Sequence, residues 1–342
     1  MFLFLHSISH LLVDGVCLAA LFGAAKSGTD IAAAVLLYNT LAFSTQCLTG
    51  WWVDRPGLAK KAEPFAMLLV AAGYFLPAAF LVRVVMIGLG NSLFHVCGGR
   101  EVLVHSRGKA APLGVFVAPG AIGVFLGKVF PQLGAVLSAG LVILAVLLWF
   151  SYRREAREEP LPDPEGTGPL PSYRGQAFPL LAVALLTAAV AVRAIGGTCA
   201  AFPWNTAVWT AAAMTAFVFA GKTAGGFVCD RLGAAKSSVL SIVPASLLIA
   251  FAAFSMPASL AGQFLLNLSM PVTLWLLYKL MPDEPGFAFG LAASALWPGT
   301  LLGMMIQLTG AAQKALILVS FGLGLAAVFY AVSLLNKEGG SK

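Results

Sequence analysis

The sequence predicts an all-α integral membrane protein: twelve transmembrane helices in two pseudo-symmetric six-helix bundles, with both termini cytoplasmic. Three observations predict it. Hydrophobic residues make up 59% of the 342-residue chain and charged residues 10%, with a mean hydropathy of +0.90. A soluble domain carries about 25% charged residues. Apolar stretches of roughly 20 residues, enough to cross about 30 Å of hydrocarbon, recur from end to end. The pattern G-x-x-x-D-R-x-G also occurs twice, as GWWVDRPG from Gly50 to Gly57 and GFVCDRLG from Gly226 to Gly233.

The expected spans are 2–25, 30–53, 63–80, 81–105, 110–130, 133–152, 177–200, 203–229, 236–256, 258–281, 286–309 and 313–335. The alternating pattern of a barrel is absent, which leaves helices as the spanning form. Asp54 and Asp230 stand 230 − 54 = 176 residues apart, about half the chain. Asn91 with Asn267, Gly114 with Gly290 and Gly127 with Gly303 repeat that offset. Such a repeat in an apolar chain points to two membrane halves with a solute site between them. The halves are residues 1–152 and 177–342. Between them, 153–176 opens on RREAREE and carries Pro160, Pro162, Pro164, Pro169 and Pro171, the composition of an extended cytoplasmic linker.

Basic residues give the orientation. With the N-terminus inside, inside segments hold Arg55, Lys60, Lys61, Arg107, Lys109, Arg153, Arg154, Arg157, Arg174, Arg231, Lys236, Lys279, Lys337 and Lys342. Outside segments hold Lys26, Lys128 and Lys314. This follows the positive-inside rule for a multi-pass protein of the cell inner (plasma) membrane, in contact with the lipid bilayer. The net charge of +7 is then a topology signal, and no soluble basic face offers itself to nucleic acid. The five cysteines all fall within expected spans without C-x-x-C spacing. The first apolar stretch, interrupted by His6, His10 and Asp14, reads as a spanning helix rather than a removable signal. No phosphate loop of the G-x-x-x-x-G-K-[ST] type occurs, so ATP drive by this chain is not expected. No cofactor is expected, and no nucleophile–base constellation marks an enzyme.

These features together resemble the major facilitator superfamily. The six-plus-six helices, the central linker and both copies of G-x-x-x-D-R-x-G match across the whole length. In that family the loop joins helices 2 and 3 and, in the second half, helices 8 and 9. The resemblance implies a cytoplasmic gate formed by Asp54, Arg55, Asp230 and Arg231, in which an aspartate faces an arginine and the positive end of a neighbouring helix. GLGNSLFHVCGG from Gly88 to Gly99 resembles the helix-4 signature of the fosmidomycin-resistance-like exporters at Gly88, Gly90, Phe94 and His95, with Val96 in place of the usual proline. VAPGAIG from Val117 to Gly123 is similar to the proline–glycine helix-5 motif of antiporters in the superfamily.

Ionisable residues inside the spans are few, and each costs about 2.5–3.5 kcal/mol at a helix centre, so function is the default reading. His6, His10 and Asp14 step by four along one face of helix 1. At 1.5 Å per residue, His10 shares its depth with His95, and Asp14 shares its depth with Asn91. Asp14, His10 and His95 are therefore the expected proton carriers, since histidine titrates near neutrality and aspartate rises on desolvation. Arg193, deep in the second half with no acidic neighbour there, suits an anionic group on the solute, or else pairs with Asp14. Asn91, Tyr38, Trp209, Asn267 and Trp297 are further candidate solute contacts. His6, nearer the interface, reads as a snorkelling or solvated side chain. Arg100 and Glu101 read as a local ion pair, and Lys222, one turn before the second loop, as a neutraliser of Asp230.

The resemblance implies a proton-coupled secondary transporter, an antiporter that exports a small, anionic organic solute by alternating access as a monomer. The alternative is transport of a transition metal or metal complex on His6, His10, His95 and Asp14, whose donor types suit such ions. A third reading is a receptor or scaffold on the same fold that transports nothing.

Overall fold

The computed structural model describes residues 1–24, 28–155 and 179–339. Lys26, Lys342 and the expected linker beyond Glu155 lie outside the described residues. Among the described residues there are twelve membrane-length helices: α1 (Phe2–Ala24), α2 (Ile31–Val53), α3 (Leu58–Phe75), α4 (Phe80–His105), α5 (Ala111–Val129), α6 (Pro131–Glu155), α7 (Leu180–Thr198), α8 (Val208–Leu232), α9 (Ala234–Phe251), α10 (Met256–Leu280), α11 (Pro285–Met305) and α12 (Gly310–Gly339). Eleven are long and apolar enough to cross a membrane. The exception is α3, whose first two turns hold Lys60, Lys61 and Glu63.

Two boundaries depart from the sequence expectation. The third span, expected at 63–80, begins five residues earlier, because Gly57 takes φ +71° and starts the helix directly after the Asp54 loop. It stops at Phe75 because Pro77 forces Leu76 out of the helical region, to ψ 136°. The eighth, expected from 203, begins at Val208. Residues 202–206 form a turn instead, in which Asn205 N donates to Phe202 O at 3.0 Å.

Small residues let α1 and α5 run in close contact, with Gly123 against the Leu11 carbonyl and Gly127 against the Gly15 carbonyl. Helices α8 and α9 pack on α10, and α7 packs on α11 and α12. The largest buried apolar cluster draws on residues 13–152 together with Leu274, Tyr278 and Phe289. Two smaller clusters draw on residues between 182 and 331, plus Ala110.

Helix α2 is broken by a π-helical turn at Thr40–Ser44. The cause is a side chain from α11. Cys47 N donates to Ser294 Oγ at 2.8 Å, and Ser294 Oγ donates to Phe43 O at 2.9 Å, so the hydroxyl is inserted into the backbone ladder. Trp297 Nε1 donates to Thr40 Oγ1 at 3.2 Å beside it.

The two halves of the sequence meet at two glycine crossings near the Asp54 end. Gly50 of α2 lies against the Gly286 carbonyl of α11. Gly226 of α8 lies against Ala110 and Ala111 at the start of α5. These crossings are the same contact seen twice, since 50 + 176 = 226 and 110 + 176 = 286. A Cβ at either glycine would strike backbone, which cannot swing aside. Valine at Gly226 is therefore expected to prise this crossing open. A thiol reagent should modify Cys229, 3% exposed in the native packing, several-fold faster in Gly226→Val than in wild type. Unchanged reactivity would show that the crossing is not a point of closure.

Candidate functional site

Asp54 and Asp230, the aspartates expected at a gate, cap helices across the crossings. Asp54 accepts from the backbone N–H of Gly286 and of Phe287, both at 2.8 Å. Asp230 accepts from Ala110 N at 2.7 Å and Ala111 N at 3.0 Å. Here too the partners are offset by 176 residues, so each carboxylate meets the uncapped amides and positive dipole of a helix from the other half of the chain. The arginine beside Asp54 is Arg100 of α4, whose Nε lies 3.1 Å from Oδ1. The expected partner Arg55 lies exposed, over the Trp51 ring at 5.3 Å, and Arg231 is exposed. Burial pushes the Asp54 carboxyl up from its ordinary value, against the opposing pull of the Phe287 and Gly286 amides and Arg100.

Arg100 also donates to Glu101 at 2.5 Å, the local pair expected from sequence. Glu101 is fully buried rather than interfacial. Close by lies a second buried group in which His6 Nε2 is 2.9 Å from Tyr152 Oη and 3.3 Å from Glu63 Oε2, and Tyr152 donates to Glu63. His6 is thus fully enclosed and not a snorkelling residue. Phe2 O and Tyr152 occupy its two ring nitrogens.

A cavity of about 580 Å³ lies between the two halves of the chain. Its lining takes His10, Asp14 and His95 from the first half of the chain and Arg193, Lys222 and Asn267 from the second. His10 Nδ1 lies 2.8 Å from Phe116 O, and His95 Nδ1 lies 2.9 Å from Asn91 O. A carbonyl only accepts, so both Nδ1 atoms carry protons and both Nε2 atoms are turned toward each other. These Nε2 atoms are 2.8 Å apart. The carboxylate of Asp14 closes the triangle, with Oδ2 3.3 Å from His10 Nε2 and Oδ1 3.5 Å from His95 Nε2. Asn91 Nδ2 donates to Asp14 Oδ1 at 2.9 Å, so Asn91 supports the aspartate from behind. Gly120, pressed against Asp14 and His10, leaves the room they occupy. Two bare lone pairs at this separation repel, and a shared cation removes the repulsion.

Arg193 donates to Ser269 Oγ at 2.9 Å and to Thr273 Oγ1 at 3.2 Å, not to Asp14. Lys222 faces the cavity, where it feels the charge of Asp14, while Asp230 is engaged elsewhere. The reading of Lys222 as a neutraliser of Asp230 is corrected accordingly. Gln46, the counterpart of Lys222 at the 176-residue offset, also lines the cavity, and its buried Oε1 has no partner among the described residues. Four candidates stand outside the lining: Asn91 is buried behind Asp14, and the other three lie elsewhere. Tyr38 is buried against Cys17, Trp297 is buried against Thr40, and Trp209 is 64% exposed at the start of α8. Sequence reasoning missed Gln46 and Glu63. The repeat offset points to Gln46, whereas Glu63 sits among lysines that made it look solvated.

No family model and no curated protein matches this sequence. Solved structures do. The chain is similar to a major facilitator superfamily transporter, FucP, in the outward conformation, at 14% identity over 96% of this chain and 98% of that one, with a TM-score of 0.71. It is similar to a variant of the E. coli fucose:proton symporter FucP at 13% identity, 96% and 98% coverage, and a TM-score of 0.69. A bacterial homologue of the iron transporter ferroportin, outward-facing, matches at 15% identity, 99% and 100% coverage, and a TM-score of 0.60. The chain has the fold of the major facilitator superfamily.

The gate geometry makes a prediction. Hydrogen bonds to a charged group contribute about 1.5–3 kcal/mol, so neutralising either aspartate should shift the closed-to-open ratio by roughly 10- to 100-fold. In Asp54→Asn, hydrogen exchange should quicken at Gly286 and Phe287 and equally at Ala110 and Ala111, because both crossings close together. Faster exchange at the first pair alone would show two independent contacts.

Proposed function

We propose that the chain is a proton-coupled secondary transporter that exports a small, anionic organic solute in exchange for protons. Residues 1–152 and 177–342 act as two six-helix bundles, joined by the linker at 153–176, that rock about the cavity. The Asp54 end and both termini face the cytoplasm of a cell whose plasma membrane holds the protein as a monomer. The state described is then closed inward by the two capped crossings.

The observation that carries this reading is the convergence of His10, Asp14 and His95 on the cavity that Arg193 also lines. A proton placed between the two Nε2 atoms makes one imidazole a donor and the other an acceptor, and the Asp14 carboxylate offsets the charge. Arg193 and Lys222 supply the positive charge for the solute's acidic group. Asn267 and Gln46 add amide contacts. Exchange requires proton and solute to occupy the site in alternation, and the triad brings titratable atoms to the cavity that would hold the solute.

Two features support transport over a scaffold role: a cavity with charged side chains in its lining between the two halves of the chain, and a small set of hydrogen bonds holding the crossings at one end. The test uses reconstituted protein with an imposed pH gradient and a trapped pH dye, while small organic anions are presented. Wild type should move protons in the direction opposite to the accepted anion. Asp14→Asn should lower that flux more than 10-fold and still be thermally stabilised by the anion. Full coupled flux in Asp14→Asn would remove the triad from the coupling.

A further inference from the structure

The same three side chains form a donor triangle of the size a transition metal requires. With bonds of about 2.0–2.1 Å, two ligand atoms on a tetrahedral ion stand about 3.3–3.4 Å apart, and two neighbours on an octahedral ion about 2.8–3.0 Å. The two imidazole nitrogens stand 2.8 Å apart, and the two oxygens of Asp14 lie 3.3 Å from His10 Nε2 (Oδ2) and 3.5 Å from His95 Nε2 (Oδ1), spacings within or close to those ranges. The remaining features of a metal site are in place too. Each histidine donates its other ring N–H to a backbone carbonyl, and Asn91 holds the carboxylate; such supports orient ligands in metal centres. Two imidazoles and a carboxylate leave coordination positions free, and all three residues line the cavity. Structure thus narrows the expected donor set: His6 belongs to the separate group with Tyr152 and Glu63.

The second half's share of the lining decides the form in which a metal arrives. Arg193 and Lys222 place two positive charges on the cavity that holds the triangle, and among the described residues Asp14 is the one carboxylate in its lining. In a low-dielectric cavity, positive side chains oppose a bare divalent ion. An ion that brings acidic oxygens of its own meets attraction from both halves of the lining. The volume of about 580 Å³ is that of a small-molecule site, far more than a naked ion fills.

We infer that the solute is a first-row divalent metal ion carried with a small polycarboxylate chelator. The metal binds His10 Nε2, His95 Nε2 and Asp14, and the chelator's free carboxylates meet Arg193 and Lys222. This rests on the transporter reading and names its solute class.

The test uses purified full-length protein with Co²⁺, alone and with citrate, read by visible ligand-field absorption and by thermal shift. Imidazole-type bands should appear with Co²⁺ and citrate at an apparent affinity at least 10-fold tighter than with Co²⁺ alone. They should be lost in His10→Gln and in His95→Gln. In Arg193→Gln with Lys222→Gln, the advantage of citrate should disappear while the Co²⁺ bands remain. If the histidine variants do not fold, X-ray absorption of the Zn²⁺–citrate-loaded wild type serves alone, and two imidazole nitrogens at about 2.0–2.1 Å are expected. Absence of histidine ligation in wild type overturns the inference, and equal affinity with and without citrate overturns the chelate. Anion-coupled proton flux that persists in metal-free medium would also overturn it, while leaving the transporter reading intact.

Discussion

The structure depends on one interaction made twice: an aspartate at the end of a helix in one half of the chain covers the free amides at the start of a helix in the other. Asp54 covers Gly286 and Phe287, and Asp230 covers Ala110 and Ala111. Glycines bring the backbones close enough for this contact, and a few charge-assisted hydrogen bonds hold it. Closure of this kind is firm but modest in energy, since the bonds are few and partly wet. A motion that separates these helix ends exposes four N–H groups, which water can then satisfy. That is the energetic profile the proposed gate requires.

The scaffold is symmetric but its chemistry is not. At the 176-residue offset, Gln46 corresponds to Lys222, and Cys17 corresponds to Arg193. The histidine–aspartate triangle belongs to the first half, with Leu186 and Val190 in the second at the positions of His10 and Asp14. The first half therefore gathers lone pairs and the second gathers positive charge. In the proposed cycle the repeated parts provide the motion, and the unrepeated parts recognise the cargo.

Much of this was legible in the sequence because helices impose regular arithmetic. The duplicated loop and the 176-residue offset located both crossings. A rise of 1.5 Å per residue set His10 level with His95 and Asp14 level with Asn91, and hydrogen bonds join both pairs. What sequence withheld was rotation about the helix axis. Depth alone does not separate Trp209, which points outward, from Asn267, which lines the cavity. Nor does it show that Arg100, not Arg55, reaches Asp54. His6 looked interfacial by position, yet it is enclosed with Tyr152 and Glu63.

The claim at the centre of this account is that loading of the triad and release of the paired crossings belong to one equilibrium. Spin-label distances across the Asp54 end, measured in lipid with the triad intact and with His10→Gln, address it directly. The account predicts a two-state distribution in wild type whose balance shifts with pH, and a distribution in His10→Gln that no longer responds. A pH response of equal size in both proteins would contradict it.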